Sequence, residues 1–119
     1  MSANPVKSIL MVEDEKAILE LVSDELRDLG FTVYEAETAE DGLKILEDTP
    51  GIDLLFTDIR LPGKLDGWDL AERARDAQPD LKIVYATGYS FVPSRIAPKA
   101  LFFTKPYNIE SVITAMSRM

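Results

Sequence analysis

Five short apolar runs punctuate this chain, and the first three intervals between them and the stretch after the last carry apolar residues at helical spacing. That alternation constrains the fold more than any other feature. The runs cover residues 8–12 ("SILMV"), 31–36 ("FTVYEA"), 53–57 ("DLLFT"), 82–86 ("KIVYA") and 100–104 ("ALFFT"). The first is apolar throughout, as a strand covered on both faces must be, whereas the second alternates as an edge strand does. Over 15–29, Ile18, Leu19, Leu21, Val22, Leu26 and Leu29 follow a period near 3.6, and Gly30 stands where a helix stops. The same reading predicts helices over 38–47, 66–78 and 108–119. Thr38 with Asp41 three residues on, and Asn108 before an apolar-periodic segment, supply start signals. Residues 88–99, interrupted by Pro93 and Pro98, are expected to form at most a short or irregular helix.

Strands separated by helices lie parallel, joined by right-handed crossovers, with helices on both faces. The expectation is an α/β fold, a doubly wound (βα)5 open parallel sheet, over a single domain spanning 1–119. In such sheets ligand sites gather at the carboxyl ends of the strands.

Those ends carry an unusual set of groups. The first strand runs into Glu13-Asp14-Glu15, the third ends at Asp58, the fourth at Thr87 and the fifth at Lys105, before Pro106. Each has an ordinary explanation. The acids 13–15 suit a helix N-terminus, Asp58 a turn before Pro62-Gly63, Thr87-Gly88 a turn pair, and Lys105 a solvated surface. Taken together they suggest more. Carboxylates crowded at one rim repel each other and invite a divalent cation, and an oxygen-only set favours Mg2+ or Mn2+. An adjacent ammonium and hydroxyl suit a phosphoryl group.

Composition narrows the chemistry further. With no cysteine and no histidine, the chain has no disulfide, thiol nucleophile, Ser-His-Asp triad or His/Cys metal site. Thirteen basic against twenty-one acidic residues give a net charge of −8, which disfavours binding to nucleic acid. No apolar run approaches the roughly 20 residues of a membrane helix, and "MSANPVK" lacks the core of a secretion signal, so a cytoplasmic protein without membrane contact is expected.

"ILMVEDE", "LLFTDIRLPG" followed by "DGWDLA", "IVYATGY" and "FFTKP", in that order over nearly the whole chain, resemble the receiver domain of two-component response regulators. The resemblance implies the flavodoxin-like strand order 2-1-3-4-5, with Asp58 as phosphoacceptor. It places Mg2+ on Glu13, Asp14, Asp58 and the backbone carbonyl of Arg60, with Thr87 and Lys105 on phosphoryl oxygens. Phe102 falls where the family keeps a rotating aromatic, although a plain core role suits it equally. The implied function is a phosphorelay switch with no effector domain of its own, catalysing only its own phosphorylation and dephosphorylation. Its implied partners are a sensor histidine kinase or histidine phosphotransfer protein, a downstream protein target, and a second copy through the face of the last helices.

The chain also departs from the family pattern. One extra residue separates Asp58 from Asp66-Gly67, Gly88 follows Thr87, and Phe102 lacks the hydroxyl of the commoner tyrosine. The "ATGY" form resembles a divergent receiver subgroup associated with sensor kinases of stress and light signalling. Trp68 is expected to pack the third helix and Tyr89 to be partly exposed, both near the site. Two other readings compete. A haloacid-dehalogenase-like phosphatase would use Asp58 as nucleophile but needs an acid where Arg60 stands. A flavodoxin-like cofactor binder needs a phosphate-cradling loop where the acids 13–15 stand.

Overall fold

The computed structural model describes residues 5–88 and 95–119. The elements run β1 (Ser8–Val12), α1 (Lys16–Asp28), β2 (Thr32–Ala36), α2 (Ala39–Asp48), β3 (Leu54–Asp58), α3 (Gly67–Ala77), β4 (Lys82–Thr87), β5 (Leu101–Thr104) and α4 (Ile109–Met116). The strands form one parallel sheet in the order β2-β1-β3-β4-β5, as expected. Tyr89 and the rest of 89–94, half of the 88–99 segment, lie outside the described residues, while residues 95–100 follow turns rather than a helix.

Side chains alternate across a strand, so a central strand flanked by helices on both faces must be apolar at every position. β3 is buried along its whole length. Leu10, Val12, Leu55, Ile83 and Tyr85 point to one face, where they meet Leu70, Ala71 and Ala74 of α3 and Ala39 of α2. Ile9, Met11, Leu54, Phe56, Val84 and Ala86 point to the other, against Leu19, Val22 and Leu26 of α1 and Val112 and Met116 of α4. β2 and β5 form the edges and are only partly covered. No helix of the described residues is long and apolar enough to cross a membrane.

The start signals act as the sequence suggests. Thr38 accepts the N–H of Asp41, and Asn108 accepts those of Glu110 and Ser111. Asp66 and Asp69 form a reciprocal capping box at the start of α3.

At the opposite edge of the sheet Asp53 binds the start of β1 to that of β3. Its carboxylate accepts the N–H groups of Lys7 (2.9 Å) and Ser8 (3.0 Å) and the Ser8 hydroxyl (3.2 Å). Burial alone would raise its pKa, but these three donors outweigh burial and hold it below the usual range. A group whose folded pKa is depressed adds stability above its unfolded value, and that stability is lost as pH falls through the folded one. Asp53→Ala should therefore cost roughly 1–3 kcal/mol at pH 7. In urea titrations, the gap to wild type should narrow below about pH 4.

Candidate functional site

The carboxyl ends of β1, β3, β4 and β5 converge, and they carry the predicted groups into one place. Glu13 follows β1 directly. Its N–H continues the ladder to the Ala36 carbonyl at 3.0 Å, which keeps the residue strand-like and fully buried (0% exposed). Its Oε2 accepts the N–H of Glu15 at 3.1 Å. The trio 13–15 is thus not simply a set of helix caps: Glu15 occupies the N-cap of α1 without a side-chain capping bond, and Glu13 turns inward.

Asp58 closes β3 with only 7% of its surface exposed. The Ile59 N–H, bonded to the Ala86 carbonyl at 3.1 Å, prolongs the β3–β4 pairing past it, and the Arg60 N–H reaches its Oδ1 at 3.3 Å. Lys105 follows β5, with its N–H on the Thr87 carbonyl at 2.7 Å and a cis bond to Pro106. Its ammonium spans the site, donating to Glu13 Oε1 at 2.5 Å and Asp58 Oδ2 at 2.8 Å. Thr87 is buried at the end of β4. Asp14 is exposed, yet one oxygen each from Glu13, Asp14 and Asp58 lie within 4.8 Å of one another.

Three carboxylates therefore face one ammonium. Burial raises the Glu13 pKa; Lys105 and the Glu15 N–H counter it only in part. Burial works against the Lys105 charge, but Asp58 and Glu13 outweigh it and push its pKa upward. The residual negative charge and all-oxygen donor set suit a hard divalent cation. Beside the acids, a cavity of about 550 Å³ is bordered by Asp14, Arg60, Pro62 and Trp68.

Trp68 both packs α3 and borders this cavity. Its ring lies 4.6 Å from that of Tyr85 and, nearly parallel, 6.4 Å from that of Phe102. Phe102 is half-buried on the edge strand, paired in register with Tyr85. The Tyr85 hydroxyl accepts the N–H of Ala97, and Arg95 clasps Asp69 and Glu72 of α3. The connection that follows β4 is thereby tied to the helix that starts at the site.

Sequence reasoning missed two residues. Glu40, in the first turn of α2, accepts the N–H groups of Lys64 (3.0 Å) and Leu65 (3.2 Å). Those bonds, together with its own N–H, which contributes most, hold its carboxyl below the usual range. Gly63 has φ +95°, and a Cβ there would lie 2.9 Å from Glu40 Oε1. The β3–α3 loop, one residue longer than the common pattern, is thus pinned to α2. The available signal was a glycine needing a left-handed conformation beside Pro62; the partner, eighteen residues before Asp58, gave none. The second residue is Gly67. Its N–H donates to the Ile59 carbonyl at 2.7 Å, and a Cβ on it would lie 2.2 Å from the Asp58 carbonyl oxygen.

An acid cluster bridged by lysine at the carboxyl edge of a 2-1-3-4-5 sheet defines a signalling receiver, and the chain belongs to the response regulator receiver domain family, whose model matches residues 9–117. It is 31% identical over 118 residues to the response regulator receiver protein CpdR of Brucella abortus, covering 96% of this chain and 97% of that one. It is also 31% identical to the sensor kinase CckA of the same organism, covering 94% of this chain but 12% of the kinase. A response regulator receiver protein from Sinorhizobium medicae superimposes with a TM-score of 0.87 at 32% identity, over 94% of this chain and 92% of that one. Its setting is two-component phosphorelay signalling. Membership sets aside the phosphatase and flavodoxin-like readings.

Proposed function

We propose that Asp58 accepts a phosphoryl group from the phosphohistidine of a partner kinase or phosphotransfer protein, and that the acyl phosphate switches a protein-binding surface. The observation that carries this reading is the convergence of Glu13, Asp58 and Lys105 through bonds of 2.5 and 2.8 Å. In the step, an Asp58 carboxylate oxygen forms a bond to phosphorus while the P–N bond breaks and the imidazole nitrogen keeps its electron pair. Lys105 offsets charge on the transferring group, and the Arg60 N–H holds the other oxygen of Asp58 in place. Glu13, Asp14 and Asp58, with the Arg60 carbonyl, would hold Mg2+ or Mn2+, which supplies further charge neutralisation at phosphorus.

Thr87 then turns toward the phosphoryl group, and Phe102 moves into the space beside it. Its stack on Trp68 would change, and with it the surface around β4, β5 and the segments after them. Without a hydroxyl, Phe102 moves on burial alone. A histidine kinase, a phosphotransfer protein or a downstream target meets that surface.

The test is intact-mass measurement after treatment with acetyl phosphate. An acid-stable, base-labile adduct of one phosphoryl group is expected with Mg2+ and not with EDTA; no adduct under any condition would refute the assignment. The same assay probes the loop clamp. Glu40→Ala should raise the Mg2+ concentration for half-maximal adduct by up to about tenfold, because the loop carrying the Arg60 carbonyl loses its anchor. Glu40→Gln keeps an acceptor oxygen and should stay near wild type.

A further inference from the structure

A cavity of about 1060 Å³ lies at the pole opposite Asp58, where β3, β4 and β5 begin and α3 and α4 end. Its charge is the reverse of the molecule's. The protein has thirteen basic and twenty-one acidic residues, yet Arg75, Lys82, Lys99 and Arg118 border this cavity against only two acidic side chains, Asp53 and Asp80. Asp53 and Lys82 offset each other's charge, and the basic excess rests on Arg75, Lys99 and Arg118 against Asp80. The lining between the charges is apolar, from Leu81, Leu101 and Met119.

Two features show that the basic groups are held rather than strewn. Arg75 donates Nε to the Leu81 carbonyl at 2.7 Å and Nη1 to the Pro98 carbonyl at 3.0 Å, which fixes the plane of its guanidinium at the wall. Lys99 has φ +62°, a left-handed conformation that costs a non-glycine residue free energy and is retained only where the surroundings enforce it. It follows Pro98, the residue whose carbonyl Arg75 holds, so one contact fixes the wall and the rim together.

We propose that this cavity binds an organic phosphate of the nucleoside phosphate class. A phosphate group matches guanidinium and ammonium donors. The volume exceeds what inorganic phosphate fills, and the apolar lining suits a ring body. The surface here is concave and only half open, which suits a small molecule better than a flat protein contact. Because the site shares no residue with the acidic rim, it stands or falls independently of phosphorylation at Asp58.

The test is a titration of isotopically labelled protein with ATP in EDTA and low salt, followed by amide NMR. Saturable shifts are expected at residues 79–82, 99–101 and 115–119, with affinity falling as salt rises. Lys99→Glu combined with Arg118→Glu should weaken binding by about tenfold or more, with the remaining spectrum unchanged. Adenosine should not bind, and inorganic phosphate should bind the same residues more weakly. The proposal is overturned by no saturable shift at millimolar ATP, by shifts centred on Asp58 and Lys105, by salt-independent binding, or by charge-reversed protein that binds as wild type does. Displacement of ATP by a polyglutamate peptide of higher affinity would equally overturn the small-molecule assignment.

Discussion

Asp58→Ala should abolish the phosphoryl adduct while leaving the protein folded. The two halves of that result have separate causes. The carboxylate is the only acid that closes the central strand, and its Oδ2 lies 2.8 Å from the lysine that would offset the incoming charge. No neighbour matches it: Glu13 is fully buried and shares the same ammonium, and Asp14 is exposed and accepts no bond from Lys105. Folding tolerates the change because one of three crowded carboxylates is lost and Lys105 keeps Glu13 as partner. Intact mass after acetyl phosphate treatment reads the first half, and a urea midpoint close to wild type reads the second. Uptake equal to wild type in Asp58→Ala would end the assignment. Lys105→Ala is the complementary case. It keeps the nucleophile, so transfer should slow by about 10²–10³ rather than vanish. Here stability should suffer, by roughly 3–5 kcal/mol, because the buried Glu13 and Asp58 lose their counter-charge.

Gly67→Ala should be the most damaging substitution of a single hydrogen by a methyl group. The new Cβ would stand 2.2 Å from the Asp58 carbonyl oxygen, 2.7 Å from the Ile59 Cα and 3.0 Å from the Asp58 carbonyl carbon. All three are backbone atoms of the strand end that holds the nucleophile, so no side-chain rotation relieves the overlap. Either α3 withdraws, breaking the 2.7 Å bond from the Gly67 N–H to the Ile59 carbonyl, or the end of β3 shifts and misplaces Asp58. A loss of roughly 3–5 kcal/mol is expected in urea unfolding, accompanied by a lower rate of adduct formation per folded molecule. Stability and rate both within error of wild type would contradict the close approach.

Much of the architecture could be read from local pattern. Both cores of a doubly wound sheet are fed by one strand, so residues such as Leu54 and Leu55 must both be apolar, and the run announces itself without its partners. Thr38 and Asn108 act on N–H groups two or three residues away, so their roles as helix starts are written in adjacent residues. The rim residues were legible for a related reason. A parallel sheet delivers its strand ends to the same edge, where Asp58 and Thr87 are the last residues of their strands and Glu13 and Lys105 the first after theirs.

What sequence order could not decide is which of these groups touch. Whether Glu13 capped a helix or turned inward depended on the Ala36 carbonyl across the sheet, and Lys105 reaches it across ninety-two residues of chain. The clamp of Glu40 on Lys64 and Leu65 joins a helix and a loop whose separate patterns predict nothing about each other. The basic cavity at the far pole is drawn from the ends of five elements, each supplying a few residues that look unremarkable in sequence. Periodicity and strand-end position are properties of neighbouring residues, and the sequence alone determined those. Contact, burial and the balance of charge depend on distances between remote segments, and only the packed sheet and helices decided them.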